Sequence, residues 1–371
     1  MKAVIIEDVG RSGVKEIPEL TLRPGYIKVK TVAVAINSTD FHHTAGAGPI
    51  GGILGCDFSG VVEEVDKDCK SSVKKGDKVY GACHCANSNN PLSGSFAEIV
   101  LVREGHLAKI PEHLSFEETA TLGVGITSVG QSLYMTLKLP LPIEPTNHPF
   151  WILIYGGSGA TGSLAIQFAK LSGLKVVTTA SPNNFEFVKS LGADAVFDYH
   201  DPDCARNIRE CTHNSLQYIL DTISVESSFK ICADSFPAQA EEGVELMLVT
   251  LLPADEFPRK DVNVQVVLAY TTFGEAFSKF GTDFPAIEEH YKFGVMFWKM
   301  AGELLAEGKF KPHPAIIMEG GLQGVPAGIA KVSHGTISAA KLVYRVAETP
   351  DSPSTKSNDD HELRGPVIHS W

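Results

Sequence analysis

The sequence predicts an α/β protein of two parts, an all-β domain of barrel type followed by a doubly wound parallel sheet. Three observations carry this reading. Short Val- and Ile-rich runs separated by turn residues fill the first 145 positions. From residue 149 the pattern changes to apolar strands alternating with helical segments. The first of those strands runs directly into a glycine-rich turn and a helix. The length of 371 residues suits two domains at ~150 residues each.

In the first part the β-type runs are 3–6, 27–36, 61–65, 78–80 and 97–102, with turns at Pro24-Gly25 and Gly76-Asp77. Residues 115–139 read as helical, opened by Ser115 with Glu118 three positions on, the spacing of a capping box. Residues 151–155 are apolar throughout, as in a parallel strand covered on both faces. Glycines fill the turn at 156–162, and Leu164, Ile166, Phe168, Ala169 and Leu171 continue it as a helix. Further strands are expected at 175–180, 195–199, 218–221, 244–250 and 262–270. Ser181-Pro182 supply an N-cap and a first-turn proline, and Phe185, Val188 and Leu191 follow at helical spacing. Residues 286–308 predict a long amphipathic helix ended by Gly308. A last strand at 341–346 comes too late for a six-stranded sheet, so the chain is expected to return to the first domain. The expected boundaries are 1–148, 149–275 and a return over 276–347. The polar, Ser/Asp/Pro-rich tail at 348–371 is expected to be disordered.

Lys+Arg is 32 against Asp+Glu 44, a formal charge of −12, which disfavours nucleic acid and anionic membrane surfaces as partners. The uncharged stretches 119–137 and 145–169 are interrupted by Gly, Gln, Asn and His, so no membrane span is predicted. Charge returns at Glu7, too early for a secretory signal. Seven scattered cysteines, an odd number, suggest reduced thiols and a cytoplasmic location. Cys83-His84-Cys85 is the one tight cluster and lacks a second ligand pair.

Gly157, Gly159 and Gly162 form Gly-x-Gly-x-x-Gly between a strand and a helix, the context in which backbone N–H groups and a helix N-terminus receive a pyrophosphate. An NAD site wants a carboxylate at the end of the second strand, to hold the ribose 2′-OH. Residues 179–184 carry none, while Ser181, Asn183 and Asn184 can donate to a 2′-phosphate and Lys189 lies one or two helical turns away. The segment therefore predicts NADPH.

Residues 35–43, which include Asn37, Ser38, Thr39, Asp40, Phe41, His42 and His43, resemble the medium-chain alcohol dehydrogenase segment that begins with a zinc-binding Cys. Asn37 stands at that Cys position. Residues 55–60 resemble the family's Gly-His-Glu segment, with Cys56 in place of the His ligand. The four-Cys structural zinc lobe is lacking as well. No catalytic zinc is expected; a rearranged site from Cys56, His42 and Asp57 is the alternative. The resemblance, over residues 1–347, is to the zinc-free, quinone reductase-like side of the medium-chain dehydrogenase/reductase superfamily. It implies a GroES-like β-barrel catalytic domain plus a doubly wound Rossmann cofactor domain. Residues 155–158, 180–185, 189–194 and 196–199 are similar to fungal trans-acting enoyl reductases of the lovastatin-pathway type. Such proteins are monomeric partners of highly reducing polyketide synthases or synthase–peptide synthetase hybrids. With NADPH they reduce the carbon–carbon double bond of an acyl chain held on the acyl carrier domain.

The resemblance also implies roles. The phosphate loop falls on Ser158, Gly159, Ala160 and Thr161, and the 2′-phosphate pocket on Ser181, Pro182, Asn183 and Asn184. Tyr199, Leu251, Leu252, Ser338 and Ala339 match further cofactor contacts. Thr127 and Ser128 match one wall of the acyl pocket, and Tyr270, Thr271, Thr272, Phe273 and Gly274 another. Thr39 and His42 are the catalytic candidates, with His42 where relatives carry Lys. A neutral or protonated imidazole there can donate a hydrogen bond or a proton. The same hydride chemistry would serve a quinone or free-enone oxidoreductase, and a non-redox NADPH-binding partner of a pathway enzyme is the third reading.

Overall fold

The structure, a computed structural model, describes residues 1–253, 256–279 and 281–351. Most of the tail expected to be disordered, 352–371, lies outside the described residues. Two compact units form. One comprises residues 1–127, 270–308 and 312 onward; the other comprises 128–269 and 309–311. The division thus falls inside the helix Gly123–Val129, where the sequence reading places it at 148/149. Tyr134 explains the attachment of residues 130–136 to the second unit, because its hydroxyl bonds the Phe168 carbonyl (3.2 Å) and the Ser172 hydroxyl (2.9 Å).

The second unit contains a six-stranded parallel sheet in the spatial order Ala195–Asp198, Lys175–Ala180, Trp151–Tyr155, Tyr218–Asp221, Leu246–Thr250 and Val262–Val266. The order reverses at Trp151–Tyr155, so the turn that follows this strand sits at the switch point where such sheets bind ligands. Its apolar residues are buried because helices cover both faces, and the helix Ala160–Leu171 buries Gly162 through Ala169 continuously. The sixth strand stops at Val266 instead of reaching 270, because its partner strand ends at Thr250 and offers no further ladder. A short 3₁₀ turn, Ala269–Phe273, follows.

In the first unit the strand Tyr26–Ala35 organises a seven-stranded sheet. One edge pairs with Asp57–Val65; along the other, residues 26–30 pair with Ile99–Arg103 and residues 33–35 with the late strand Lys341–Arg345. Register shifts at Lys28/Val29 and Thr31/Ala33 bend the strand, which lets it serve three neighbours. The late strand Lys341–Arg345 thus belongs to this unit's sheet. The helical stretch expected at 115–139 is broken into Phe116–Thr119, Gly123–Val129 and a π-helical turn Gly130–Thr136. Gly123, Gly125 and Gly130 weaken continuous helix, and the Asp57 carboxylate accepts the Val124 N–H (2.6 Å), which fixes a new helix start there. The long helix is Glu288–Ala306, with Gly294, Phe297, Trp298, Ala301 and Leu305 on its buried face. Among the described residues no helix is long and apolar enough to cross a membrane.

Candidate cofactor loop and active site

Sterics separate the three glycines of the second unit's turn. A Cβ on Gly157 would lie 2.1 Å from the Thr178 hydroxyl, and one on Gly162 2.2 Å from the Gly156 carbonyl, so the fold itself excludes side chains at both. A Cβ on Gly159 would meet nothing closer than Gly156 O at 3.4 Å, and its φ of −75° suits any residue. The fold does not require glycine there; an open approach to the backbone does. Ala160, Thr161 and Gly162 form the first helical turn, whose N–H groups have no intrahelical acceptor. The Gly156 and Gly157 N–H groups are tied to the hydroxyl and carbonyl of Thr179, each at 3.0 Å, which holds the turn against the end of the second strand. This cradle suits a pyrophosphate.

The other predicted cofactor residues of this unit follow the carboxyl ends of parallel strands. Ser181 accepts a hydrogen bond from the Asn184 amide (3.1 Å), and Pro182 and Asn183 between them are exposed. Lys189 is exposed and paired with Glu186 at 3.2 Å. Tyr199 follows the strand Ala195–Asp198 and remains 39% exposed. The Leu251 N–H donates to the Ser224 hydroxyl (2.9 Å). Asp221 is buried without a cation; its carboxylate accepts from the Ser228 hydroxyl (2.5 Å) and from the Ile223 and Ser224 N–H groups. Ser338 and Ala339 belong to the first unit, where Ala339 takes a left-handed φ of 50° just before the last strand.

Within the first unit, Thr39 and Tyr270 are brought together, 231 positions apart, with their hydroxyls at 3.0 Å. The His43 Nε2 meets the Lys279 ammonium, so Nδ1 carries the ring hydrogen and donates to the Thr39 carbonyl (2.6 Å), with the Thr39 hydroxyl 3.3 Å away. The Lys279 Nζ lies 3.9 Å above the Tyr270 ring, whose other neighbour is the stacked imidazole of His84 at 4.1 Å. Burial pushes the Lys279 pKa down to about 8 and pushes those of His43 and His84 well below the usual imidazole value, with Lys279 adding to both. His42 points elsewhere: it is buried, its Nδ1 has no partner, and burial lowers its pKa. This favours the neutral ring over a cation.

A second buried charge group includes Asn37, one of the positions where the resemblance places a zinc ligand. The Lys341 ammonium bonds the Asp57 carboxylate and the Asn37 side-chain oxygen (2.8 Å). Both charged side chains are sealed from water. Asp57 and Asn37 are therefore already engaged by a cation of the chain itself. Among the described residues, the metal-ligand atoms that cluster within 4.8 Å are those of Asp40, Cys56 and Cys85, a different set from Cys56, His42 and Asp57. Asp40 accepts the Asn37 N–H (2.7 Å), and burial raises its pKa to about 7. The Cys85 thiol accepts the Gly55 N–H (3.1 Å), and burial holds its pKa well above that of a free thiol. Three donors, one a thiol held protonated, fall short of the four of a structural zinc site.

The predicted acyl-wall residues are tightly held. The Thr127 hydroxyl donates to Gly123 O (3.0 Å) and accepts from the Trp298 indole (3.1 Å). Thr271 is 2.8 Å from the His290 Nδ1 and Thr272 3.2 Å from the His106 Nε2, while Phe273 stacks on His106. Ser128 is buried at the chain position where the second unit begins.

Comparison with known proteins agrees with both units. The alcohol dehydrogenase GroES-like domain family matches residues 23–112, and the zinc-binding dehydrogenase family matches residues 160–244. The chain is 43% identical over 347 residues to the trans-enoyl reductase ACTTS2 of Alternaria alternata, covering 93% of this chain and 98% of that protein. It is 46% identical over 280 residues to the trans-enoyl reductase TOXD of Cochliobolus carbonum, covering 75% and 92%. The chain belongs to the trans-enoyl reductase family. The fold is shared with the crystal structure of CurK enoyl reductase, at TM-score 0.72 and 18% identity over 93% of this chain and 98% of that one. As a trans-enoyl reductase with the medium-chain dehydrogenase/reductase fold, it is an oxidoreductase that uses a pyridine nucleotide.

In this trans-enoyl reductase the sequence reading missed His43, His84, Lys279, Asn37's bond to Lys341, and Lys341 itself. One signal was available: Thr39 and His43 are four residues apart, on one face of a helical turn. Nothing local to 279 or 341 marks those lysines, because their partners lie 236 and 284 positions away.

Proposed function

We propose that this enzyme acts in trans on a highly reducing polyketide synthase, or a synthase–peptide synthetase hybrid, and reduces the α,β-double bond of an acyl thioester on its carrier domain with NADPH. What supports the substrate most directly is the similarity, over most of their length, to proteins named trans-enoyl reductases. NADPH is supported by the carboxylate-free segment at 179–184. Bound at the glycine cradle, NADPH supplies the hydride that adds to the β-carbon. Ser158, Gly159, Ala160 and Thr161 hold its pyrophosphate, and Ser181, Asn183 and Asn184 donate to the 2′-phosphate. Tyr199, Leu251, Leu252, Ser338 and Ala339 complete its contacts.

Negative charge grows on the thioester oxygen as the β-carbon is reduced, so a donor held in place lowers the barrier. Thr39 is half-exposed and fixed by Tyr270 and His43, which suits it to that donation. His42 contributes as a neutral ring beside it in sequence. Thr127, Ser128, Tyr270, Thr271, Thr272, Phe273 and Gly274 line the acyl chain's path. The enzyme works without zinc, as a cytoplasmic monomer.

The test is NADPH oxidation with an enoyl group carried on pantetheine or on the cognate carrier domain, beside a free quinone and a free enone. Turnover of the carrier-bound chain at the higher rate is expected. Quinone turnover far faster than the thioester would overturn the reading.

A further inference from the structure

Reduction of an enoyl thioester leaves an enolate that needs a proton at the α-carbon. The first unit contains one hydrogen-bonded chain of side chains that ends on a buried proton reservoir. From the Tyr270 hydroxyl it passes to the Thr39 hydroxyl at 3.0 Å, to the His43 Nδ1 at 3.3 Å, whose N–H is shared with the Thr39 carbonyl at 2.6 Å, and through the ring to Nε2 and the Lys279 ammonium. Lys279 is 2% exposed and its ammonium bonds a neutral imidazole instead of a carboxylate. A buried cation in this position costs stability, so its presence asks for a use. The groups around it are His43, His84, the Tyr270 ring, and the thiols of Cys56 and Cys85, with Asp40 bonded to Cys85.

We infer that Tyr270 gives the proton to the α-carbon and that Thr39, His43 and Lys279 form the relay that restores it. The inference rests on the enoyl reductase reading. The enolate electron pair forms the new C–H bond while the Tyr270 O–H bond breaks. The phenolate oxygen takes the Thr39 hydroxyl proton, and Thr39 takes the His43 Nδ1 proton. The His43 Nε2 then accepts a proton from Lys279, which is left as an amine; between turnovers one proton from solvent restores the ammonium and the imidazole hydrogen moves back from Nε2 to Nδ1. Burial raises the Tyr270 pKa, which keeps the hydroxyl protonated until the more basic carbanion draws on it. The His42 Nδ1, by contrast, has no hydrogen-bond partner among the described residues.

Tyr270→Phe is the decisive variant, since it keeps the ring stacked on His84 and removes only the hydroxyl. With a pantetheine-linked enoyl substrate it should lose ~100-fold or more in turnover, the scale of a general acid, with the NADPH dissociation constant unchanged. Wild-type turnover should fall above pH ~8 as Lys279 loses its proton. Lys279→Met should slow turnover and erase that limb; Lys279→Arg, which keeps a cation but does not release its proton, should be slowed as well and stay flat to pH 10. Apart from activity, the unfolding stability of the wild type should rise between pH 8 and 10.5, and that rise should vanish in Lys279→Met. Unchanged turnover in Tyr270→Phe, or an identical pH profile in Lys279→Met, overturns the relay alone. No oxidation of NADPH by the wild type with any carrier-bound enoyl chain overturns the reductase reading and the relay with it.

Discussion

In the second unit the candidate functional groups are backbone N–H groups, hydroxyls and amides at the ends of parallel strands, whereas in the first unit the half-exposed Thr39 is backed by ionisable side chains sealed from water. Even the buried Asp221 of the second unit is satisfied by one hydroxyl and two N–H donors without a cation. The first unit buries Asp57 with Lys341, and Lys279 with only neutral partners. A dipole site can be assembled from one stretch of chain, because each residue supplies its own N–H. A buried charge needs a partner wherever the fold can bring one. This difference decides how each unit responds to substitution.

The largest effect is expected at Lys341. Lys341→Met leaves Asp57 buried and unpaired, with only the Val124 N–H among the described residues to answer it. A loss of ~3–5 kcal/mol in denaturant-melt stability is expected. The double variant Lys341→Met/Asp57→Asn should recover part of it, because the orphan charge is gone. A single-variant loss below ~1 kcal/mol would mean that water reaches Asp57.

Lys279 sharpens the contrast, since it is a buried charge without a counter-charge. Its pKa is lowered from 10.5 to about 8 in the folded chain. Between these values the unfolded chain binds the extra proton, so stability rises with pH across that window. The gain is ~3 kcal/mol at most, at ~1.4 per pK unit. Below pH 8 both states hold the proton and the full penalty is present; Lys279→Met should remove it and stabilise the protein there.

These charge effects also show what the sequence made legible. The strand–glycine–helix unit is contiguous, so Trp151–Tyr155 and the turn after it are readable from residues within 25 positions of one another. The sixth strand overran because its end is set by its neighbour's end at Thr250, which no local pattern encodes. The broken helix at 115–139 answers to Asp57, far earlier in the chain. In the first unit His42 drew attention through its place in a motif, while the hydrogen-bonded imidazole is its neighbour His43.

Next in size are the glycines. Gly157→Ala puts a methyl into the Thr178 hydroxyl and should destabilise the second unit by ~1–3 kcal/mol, visible in thermal melting. Gly159→Ala meets no obstacle in the protein and should leave stability within ~0.5 kcal/mol. It should still weaken NADPH binding at least ~10-fold, ~1.4 kcal/mol, by blocking approach to the first-turn N–H groups. Equal NADPH affinity in Gly159→Ala would remove the pyrophosphate from this cradle.

The smallest effect is expected at His42, and it tests whether this part of the first unit acts through charge at all. A lysine here, as in relatives by the resemblance, would be a cation throughout the working range. Burial instead moves the His42 pKa below 6.5, and no carboxylate or other acceptor meets its Nδ1 to draw a proton back. A ring whose pKa lies below 6.5 is largely neutral above pH ~7, so turnover should show no step between pH 7 and 8 that His42→Ala abolishes. His42→Ala should lower turnover by less than ~10-fold, below the ~100-fold that marks a general acid. His42→Lys places an ammonium in the same buried position, and its proton affinity falls for the reason that Lys279's does. Its signature is therefore a new fall in activity at high pH rather than a gain near neutrality. A ~100-fold loss in His42→Ala, with a falling limb above pH 6.5 in the wild type, would return the charge to His42 and make the two units differ less than their buried groups imply.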